Sequence, residues 1–306
     1  MDPLGQTVAL LRPKALLWKQ MQANGGWTVR FPAGTGVVFC FVAEGHCQLE
    51  IAGEAPRRLE EGDFLLFSRP PRWRLGRNKG DAGRTIAVDY MPAHNASDRS
   101  NFIGDMHRPA EVKIVGGRFA FDPTNADLLN SLVPRRVEIL AADPSAARLR
   151  HILALIRDEA SAERPGQGLV VERLLEVLLV ESIRKAPGDN AAAEPGLLAG
   201  LADPQLARAL RALHADVRKV WTVERTAKLA GMSRSTFAER FAAVVGLPPM
   251  DYLLRLRIAL AKDALRFGGA RLADVASASG YRSVSAFSTA FRRVVGVAPG
   301  SYAAGK

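Results

Sequence analysis

The chain has 306 residues, of which 48% are hydrophobic, and it carries a formal net charge of +11. This length allows one to three domains, and the apolar share is enough for substantial cores. The sequence has no uncharged apolar run of about 18 residues, which a membrane-spanning helix would need. It also lacks a signal-peptide pattern at its start, and its two cysteines are too few for a disulfide framework. We therefore expect a soluble, cytoplasmic protein with no membrane partner.

After a helical or irregular start, the first 125 residues alternate between short apolar runs and turn residues. Glycines at the turns, such as Gly45, Gly53 and Gly62, separate the apolar runs. Short strands spaced in this way are typical of a β-sandwich or β-barrel. The predicted strands cover residues 27–31, 37–42, 47–51, 64–67, 84–91 and 112–121.

A pocket inside such a barrel would be lined by apolar side chains with a few polar groups. Ordinary core packing is the favoured interpretation of each apolar candidate. Arg30 fits a core least well, because a buried charge would need an anionic partner; that partner could be an effector carboxylate or part of a surface ion pair. The candidate effector-binding residues are Trp27, Arg30, Phe39, Phe41, Phe64 and Trp73.

Two cysteines, Cys40 and Cys47, flank the predicted turn at Glu44-Gly45. Across a hairpin they could lie close enough for a disulfide or a soft-metal pair, which would suit a redox- or metal-responsive protein. The favoured interpretation is that both are small buried apolar residues. None of the five histidines lies within two residues of another, so we expect no catalytic residue, no resident metal and no cofactor.

Two further helices are predicted at residues 144–160 and 169–185. The second is apolar around most of its circumference, with Val170, Leu174, Val177 and Leu178 spread over several faces. Such a helix must be covered, either by the barrel or by a second copy of the chain.

Residues 187–203 are rich in proline, glycine and alanine and are predicted to form a linker. Asp203 and Pro204 then have the residue types of a helix cap and a first helical position.

The end of the chain contains an internal repeat. Residues 233–252 read SRSTFAERFAAVVGLPPMDY and residues 283–302 read SVSAFSTAFRRVVGVAPGSY, with nine of the 20 positions identical. Each copy has a short helix (223–230 or 272–279), a glycine turn, a serine that can cap, and a second helix with one apolar stripe. The stripe is predicted at Phe237, Phe241 and Val244, and at the matching Phe287, Phe291 and Val294. This order predicts two helix-turn-helix units, the arrangement that enters a DNA major groove.

Charge separates this repeat from the rest of the chain. Residues 205–306 hold 17 Lys and Arg against 6 Asp and Glu, whereas residues 1–204 hold 25 of each. The whole excess of positive charge therefore belongs to the repeat, which indicates a polyanionic partner. Two structural helical hairpins would not need such an excess.

The second copy, GYRSVSAFSTAFRRVVGVAPGSY, resembles the signature of the AraC/XylS transcription regulators, and the resemblance covers the last hundred residues. It implies that a rigid helix, here residues 250–267 with Leu253, Leu256, Leu260 and Ala264 along one side, joins the two units. The recognition helices would then lie about 34 Å apart, one DNA turn. The turn pattern before residue 125 resembles the cupin-like effector domain of the same regulators. Dimerisation through the middle helices is also implied.

Contacts to phosphate and contacts to bases are expected from different residues. The caps Ser233 and Ser283, together with Arg257, Arg292 and Arg293, are expected at phosphates. The family motif assigns base reading to Ser235, Ala238 and Glu239 and, in the second copy, to Val284, Ser285, Ser288 and Thr289, where Glu239 could accept from a cytosine amine. Arg240 is the long donor near that face. Arg234 and Thr236 complete the predicted DNA-binding set.

We therefore predict an α+β multidomain chain: a cupin-like β-barrel (1–125), a helical dimerisation or packing region (126–186), a linker (187–203) and an all-α DNA-binding domain (204–306). The predicted function is a sequence-specific transcription regulator of double-stranded DNA, controlled by a small-molecule effector. A homodimer and contact with RNA polymerase are the other predicted partnerships. Besides the cysteine-based sensor, a cupin metalloenzyme and a ligand-independent DNA-binding protein are the alternatives. The histidine spacing disfavours the enzyme.

Overall fold

The computed structural model describes residues 2–34, 36–77, 84–87, 100–125, 135–144, 147–162, 164–185 and 195–305. The chain divides into two compact units. The sheet unit comprises Pro13–Ala120 and Val133–Lys185, and the helical unit comprises Met1–Arg12, Phe121–Leu132 and Ala186–Lys306. Among the described residues, no helix combines the length and the apolar character needed to cross a membrane.

Two antiparallel-rich sheets form the sheet unit. In the described residues one sheet has the strand order β11-β6-β3-β10-β1-β9 and the other the order β5-β4-β7-β2-β8. Strand β9 runs parallel to β1, and β8 runs parallel to β2. The strands are β1 (Lys14–Ala23), β2 (Trp27–Phe31), β3 (Val37–Gly45), β4 (Cys47–Ile51), β5 (Arg57–Leu59), β6 (Phe64–Phe67), β7 (Trp73–Gly76), β8 (Arg84–Ala87), β9 (Ser100–Ile103), β10 (Val112–Ala120) and β11 (Arg136–Ile139).

Alternate residues of the strands build the core of the sheet unit. Strand β3 contributes Val38, Cys40 and Val42 to one buried cluster, which also takes side chains from β2, β4 and β7 in the other sheet. Because successive side chains of a strand point to opposite faces, this cluster lies between the two sheets. The neighbouring β3 residues, Phe39 among them, are buried on the opposite face. The continuous apolar run of residues 37–42 is therefore a strand covered on both sides.

The predicted turn at Glu61-Gly62-Asp63 is held by one buried carboxylate. Asp63 accepts from the backbone N–H of Glu60 (2.9 Å) and, through its other oxygen, from that of Ala141 (2.8 Å). Gly62 has φ +91°, and a Cβ there would lie 2.9 Å from the Cβ of Ala141. The turn therefore requires glycine for both its conformation and its space.

Two helices complete the sheet unit: α2 (Ala147–Ser161) and α3 (Gln167–Lys185). They pack on each other, and α3 also contacts β1. Helix α2 lies within the predicted range 144–160 except for its last residue, and its described part begins at Ala147. The inward face of α3 is formed by Val171, Leu175, Leu178, Leu179 and Ile183, all nearly fully buried.

The helical unit contains nine helices in its described residues. Helix α1 (Pro3–Leu11) comes from the amino terminus, and a 3-10 turn (Pro123–Asn125) also belongs to this unit. The others are α4 (Leu197–Ala202), α5 (Pro204–Ala215), α6 (Val223–Ala230), α7 (Arg234–Val245), α8 (Pro249–Phe267), α9 (Leu272–Ala278), α10 (Val284–Val295) and α11 (Pro299–Ala303).

The amino-terminal helix packs against α5 and α8, although its sequence was assigned to the barrel. The Nδ1 of His214 in α5 lies 2.6 Å from Oε1 of Gln6, and its Nε2 lies 2.6 Å from the hydroxyl of Tyr252. Arg12 forms a 2.9 Å ion pair with Asp263 of α8. These contacts explain why residues before the first strand belong to the compact unit that holds the repeat.

The structure describes only the last part of the predicted linker. Residues 187–194 fall outside the described residues, whereas residues 197–202 form α4. Helix α5 begins as predicted, since Asp203 accepts from the N–H groups of Gln205 (2.9 Å) and Leu206 (3.1 Å) and Pro204 occupies the first helical position.

Candidate nucleic-acid interface

The first helix-turn-helix consists of α6 and α7. Thr222 caps α6 by accepting from the N–H of Arg225 (3.2 Å), and Gly231 ends it in the left-handed region with φ +69°. Ser233 caps α7 by accepting from the N–H of Thr236 (3.2 Å). The bounds of α6 match the predicted ones, because a cap and a glycine stop are local signals.

The second helix-turn-helix consists of α9 and α10 and has the same elements. Helix α9 ends at Ala278, one residue before the predicted end, and Gly280 follows with φ +79°. Ser283 caps α10 by accepting from the N–H of Ala286 (3.2 Å). Both predicted caps therefore form, and each leaves the start of a second helix with unpaired backbone N–H groups that can bind a phosphate.

Each second helix is anchored by two phenylalanines whose rings pack at a tilt of 53° in the first copy and 56° in the second. The rings of Phe237 and Phe241 lie 5.4 Å apart, and those of Phe287 and Phe291 lie 5.5 Å apart. All four side chains are fully buried. Tyr252 closes the first cluster edge-on at 5.7 Å from Phe241, and Tyr302 closes the second at 5.4 Å from Phe291. The internal repeat is therefore a repeat of one packing unit.

The third position of each apolar stripe was predicted wrongly. Val245, and not Val244, is the buried residue of α7, and Val294 of α10 is 41% exposed. Two steps of four residues turn a side chain about 80° around the helix axis, so position 245 faces a different neighbour from Phe237. That neighbour is α4, since an added Cβ at Gly200 would lie 2.8 Å from Cγ2 of Val245. In the second copy Val295, and not Val294, packs against the buried cluster.

The connecting helix α8 is covered on more than one side. Leu253 and Leu256 are buried as predicted, but Leu260 and Ala264 are only half-buried, and Ile258, Ala259 and Ala261 take the deeper positions. The helix packs against α1, the 3-10 turn, α7, α9, α10 and α11. The prediction of one apolar stripe along this helix was wrong because several elements of the unit pack around it.

The predicted base-reading and phosphate-binding side chains form the outer faces of α7 and α10 and their first turns. The small side chains of Ala238 and Ser288 are half-buried at the edges of these faces. The exposed members are Ser233, Arg234, Ser235, Thr236 and Glu239 in the first copy, and Ser283, Val284, Ser285, Thr289, Arg292 and Arg293 in the second.

Two predicted DNA contacts have partners inside the protein. Arg240 forms a 2.7 Å ion pair with Asp203, the cap of α5, and also donates to Gln205 (3.3 Å). Arg257 donates from Nε to the carbonyl of Val217 (2.8 Å) and from Nη2 to that of Lys219 (2.9 Å). Burial lowers the pKa of the half-buried Arg257 guanidinium, although an arginine at this site stays protonated.

The basic surface includes residues that the motif did not single out. Arg282 lies exposed immediately before the cap Ser283, and Arg218 and Lys219 lie in the loop that precedes α6. The position of Arg282 next to a cap is a signal that the sequence already contained. The role of the loop could not be read from sequence because its position depends on Arg257, 40 residues away.

The six candidate effector-binding residues lie on two different faces. Trp27 and Trp73 belong to the core between the sheets, where Trp73 stacks on Phe31 with ring centroids 3.9 Å apart. Phe39 and Phe64 lie on the other face of β3 and β6, 6.3 Å apart, and Phe41 is buried beside them. Arg30 is exposed, so the buried charge considered for it is absent. One pocket cannot be lined by all six.

Cys40 and Cys47 are free thiols, both buried between the sheets. Burial raises the pKa of Cys40 to about 12 and raises that of Cys47 well above its usual range. The thiolate, which is the reactive and metal-binding form, is therefore disfavoured. In the part of the chain that the structure describes, no three His, Cys, Asp or Glu side chains are grouped so that they could hold a metal ion.

Comparison with known proteins identifies both parts of the chain. A cupin family model matches residues 2–186, and a helix-turn-helix domain model matches residues 226–305. The chain is 39% identical over 303 residues to an AraC-like transcription regulator of Streptomyces lividans, covering 99% of this chain and 98% of the relative. It is 37% identical, with the same coverage, to an AraC-like regulator of Streptomyces antibioticus.

A more distant relative is similar over the same length. The transcriptional regulator MtrA of Neisseria gonorrhoeae is 28% identical over 306 residues, covering 99% of this chain and 98% of the relative. Full-length similarity at 39% identity, together with two capped helix-turn-helix units, places the chain in one family. This protein belongs to the AraC-like DNA-binding transcription regulators, with an amino-terminal cupin domain and a carboxy-terminal helix-turn-helix domain.

Proposed function

We propose that this regulator reads a two-part DNA site with α7 and α10 in successive major grooves. The observation that carries the proposal is the match between the two helices: each has a serine cap, a buried phenylalanine pair and an exposed face of short polar side chains. Both belong to the segment that holds the entire excess positive charge of the chain. A long helix between them can hold the reading faces about one DNA turn apart.

Base contacts and phosphate contacts follow from side-chain length and position. The short side chains Ser235, Ser285 and Thr289 would read bases through hydroxyl and methyl contacts, and Glu239 would accept from a cytosine amine. Arg293, on the exposed side of α10, would bind phosphate.

A selection of binding sites from random duplex DNA, followed by binding measurements across a salt series, tests the proposal. Arg293→Ala should weaken all sites and reduce the salt slope by about one, whereas Glu239→Ala should change the preference at one base pair. Arg255→Ala and Asp251→Ala are matched controls, since both residues are exposed on the connecting helix. If Glu239→Ala leaves the base preference unchanged, the proposed orientation of α7 is wrong.

An effector bound by the sheet unit is the second part of the proposal. Residues 1–204, which include the sheet unit, carry no net charge as a whole, so the positive charge that attracts DNA is concentrated in residues 205–306. The core of the sheet unit holds an aromatic group of Phe31, Phe67 and Trp73, which suits a small apolar molecule. A ligand at 100 times its Kd should stabilise the protein by about 2.7 kcal/mol, which a thermal shift screen detects. If no ligand changes stability or DNA affinity, a ligand-independent DNA-binding protein is favoured.

A homodimer is proposed from the outer face of α3. Val170 and Val177, seven residues apart, are 43% and 46% exposed, and the half-buried Leu174 lies between them. Leu155 of α2 is 55% exposed and adds apolar surface to the helix pair. Sedimentation of the wild type should show twice the 33.0 kDa chain mass, and Val177→Lys should give the monomer. A wild type that sediments only as a monomer at micromolar concentration contradicts this part.

We further propose that the protein acts in the cytoplasm, contacts RNA polymerase when bound at a promoter, and has no enzymatic activity. The relatives described above are transcription regulators, which supports a role without catalysis. Transcription in vitro with purified polymerase and a selected site would test the polymerase contact. Unchanged transcript levels when the regulator is added would contradict it.

A further inference from the structure

The loop that joins α5 to α6 is held in one conformation by its own polar groups. Asp216 accepts from the N–H groups of Arg218 (3.0 Å) and Lys219 (3.2 Å) through one carboxylate oxygen. The indole N–H of Trp221 donates to the carbonyl of Asp216 at 2.8 Å. These bonds leave the carbonyls of Val217 and Lys219 available to another element of the unit.

Arg257, near the middle of α8, binds those two carbonyls. Its Nε is 2.8 Å from the Val217 oxygen and its Nη2 is 2.9 Å from the Lys219 oxygen. Two charge-assisted hydrogen bonds from one planar group fix both the distance and the angle between helix and loop. The connecting helix is therefore tied to the element that leads into the first helix-turn-helix.

The same guanidinium also faces the turn of the second helix-turn-helix. It lies over the ring of Tyr281 at 5.9 Å, and this ring packs edge-on against Phe287 at 5.6 Å in the core of the second copy. At Gly280 an added Cβ would lie 2.9 Å from the carbonyl oxygen of Arg218 and 2.9 Å from Nη2 of Arg257. The backbone of the second turn therefore touches the backbone of the loop before α6.

The equivalent glycine of the first copy has no such contact. Gly231 has a similar φ of +69°, but an added Cβ there would meet nothing nearer than Nη2 of Arg208 at 3.7 Å. The close approach is thus specific to one of the two turns. It is a second connection between the copies, in addition to the helix that joins them in sequence.

We propose that Arg257 and Gly280 are positioning residues that lock the two helix-turn-helix units together, so that the protein accepts only one spacing between its two DNA half-sites. This inference rests on the proposed two-groove reading. It also replaces the phosphate contact predicted for Arg257, because two of its five N–H donors already bind the loop and hold the half-buried guanidinium there. The two roles differ in what a substitution changes.

Full-length protein is measured on duplexes with one selected half-site, with two half-sites at the selected spacing, and with the spacing changed by about 5 base pairs, half a DNA turn. The wild type should bind the double site about 100-fold tighter than the single half-site and lose most of that gain at the altered spacing. Arg257→Met and Gly280→Ala should reduce the gain about tenfold and flatten the dependence on spacing. Their affinity for the single half-site and its salt slope should stay at the wild-type level.

Gly231→Ala is the matched control, because it introduces the same backbone strain without the close contact, and it should keep the wild-type spacing preference. Arg257→Lys keeps the charge but replaces the planar guanidinium by a single ammonium nitrogen, so it should fall between wild type and Arg257→Met. A variant that retains the wild-type affinity for the single half-site is folded. If Arg257→Met is not folded, the spacing preference of Arg257→Lys tests the lock instead. Unchanged spacing preference in the variants overturns the lock. A weaker single half-site with a salt slope lower by about one restores the phosphate role. A wild type that gains nothing from the second half-site contradicts the two-groove reading itself.

Discussion

Lowering the pH should destabilise the helical unit through one histidine. His214 is 2% exposed, and burial lowers its pKa to about 4. Because Oε1 of Gln6 can only accept, Nδ1 carries the proton, and the hydroxyl of Tyr252 donates to Nε2. Protonation of Nε2 would force the Tyr252 hydroxyl to change from donor to acceptor and would place a charge in a buried site. The neutral form is therefore the one that fits the fold.

The sign and size of the effect follow from linkage. Above pH 6.5 the imidazole is neutral in both the folded and the unfolded chain, so the stability is unaffected. Between pH 6.5 and about 4 the unfolded chain binds a proton that the folded chain does not, and stability falls by about 1.4 kcal/mol per pH unit. At pH 5 the loss is about 2 kcal/mol, and near pH 4 it reaches about 3 kcal/mol and stops growing. Two charged groups also act on this pKa: Asp2 opposes the lowering, and the amino terminus adds to it.

Hydrogen exchange of α5 and α8, followed by mass spectrometry at pH 7 and pH 5 and corrected for intrinsic rates, measures the opening free energy of this unit. The wild type should lose about 2 kcal/mol more than His214→Gln between the two pH values, since glutamine does not titrate. Both proteins have the same carboxylates, so the contribution of these groups cancels when the pH-dependent loss of His214→Gln is subtracted from that of the wild type. If wild type and His214→Gln lose the same stability, the burial of a neutral imidazole between Gln6 and Tyr252 is wrong.

Three other substitutions test the packing and the cap of α10, and a thiol reagent tests the burial of the two cysteines. Phe287→Ala should lower the free energy of unfolding by about 3–5 kcal/mol, since it leaves a cavity where a fully buried ring was. Val294→Ala, at an exposed site, should lower it by less than about 0.5 kcal/mol. Urea unfolding of both variants measures the difference. Ser283→Ala should cost about 1 kcal/mol by removing the cap of α10, and a loss near zero would show that the cap bond does not form. Cys40 and Cys47 should react with a thiol reagent only as fast as the sheet unit opens, because burial raises both pKa values; reaction within the mixing time would contradict their burial.

The local sequence alone determined the helix-turn-helix elements. A capping serine acts on an N–H three residues later, and a glycine stop acts on its own helix, so Ser233, Ser283 and Gly231 have their roles whatever surrounds them. The excess of positive charge and the repeated phenylalanine spacing are also visible in the sequence and predicted a DNA-binding repeat, and the motif of the second copy carries the resemblance to the family. Strands bounded by glycine turns were predictable for the same reason.

Only the tertiary structure decided which groups meet across the chain. Arg257 and Arg240 were read as DNA contacts because a long exposed-looking cation near a recognition helix has no local partner, yet their partners lie about 40 and 35 residues away. The amino-terminal helix belongs with the repeat through Gln6 and Arg12, whose partners lie more than 200 residues further along the chain. Periodicity shows which side of a helix is apolar but not how many elements cover it, so the burial of α8 could be known only from the packed chain. The same is true of the candidate effector-binding residues, which the packed sheets place on two different faces.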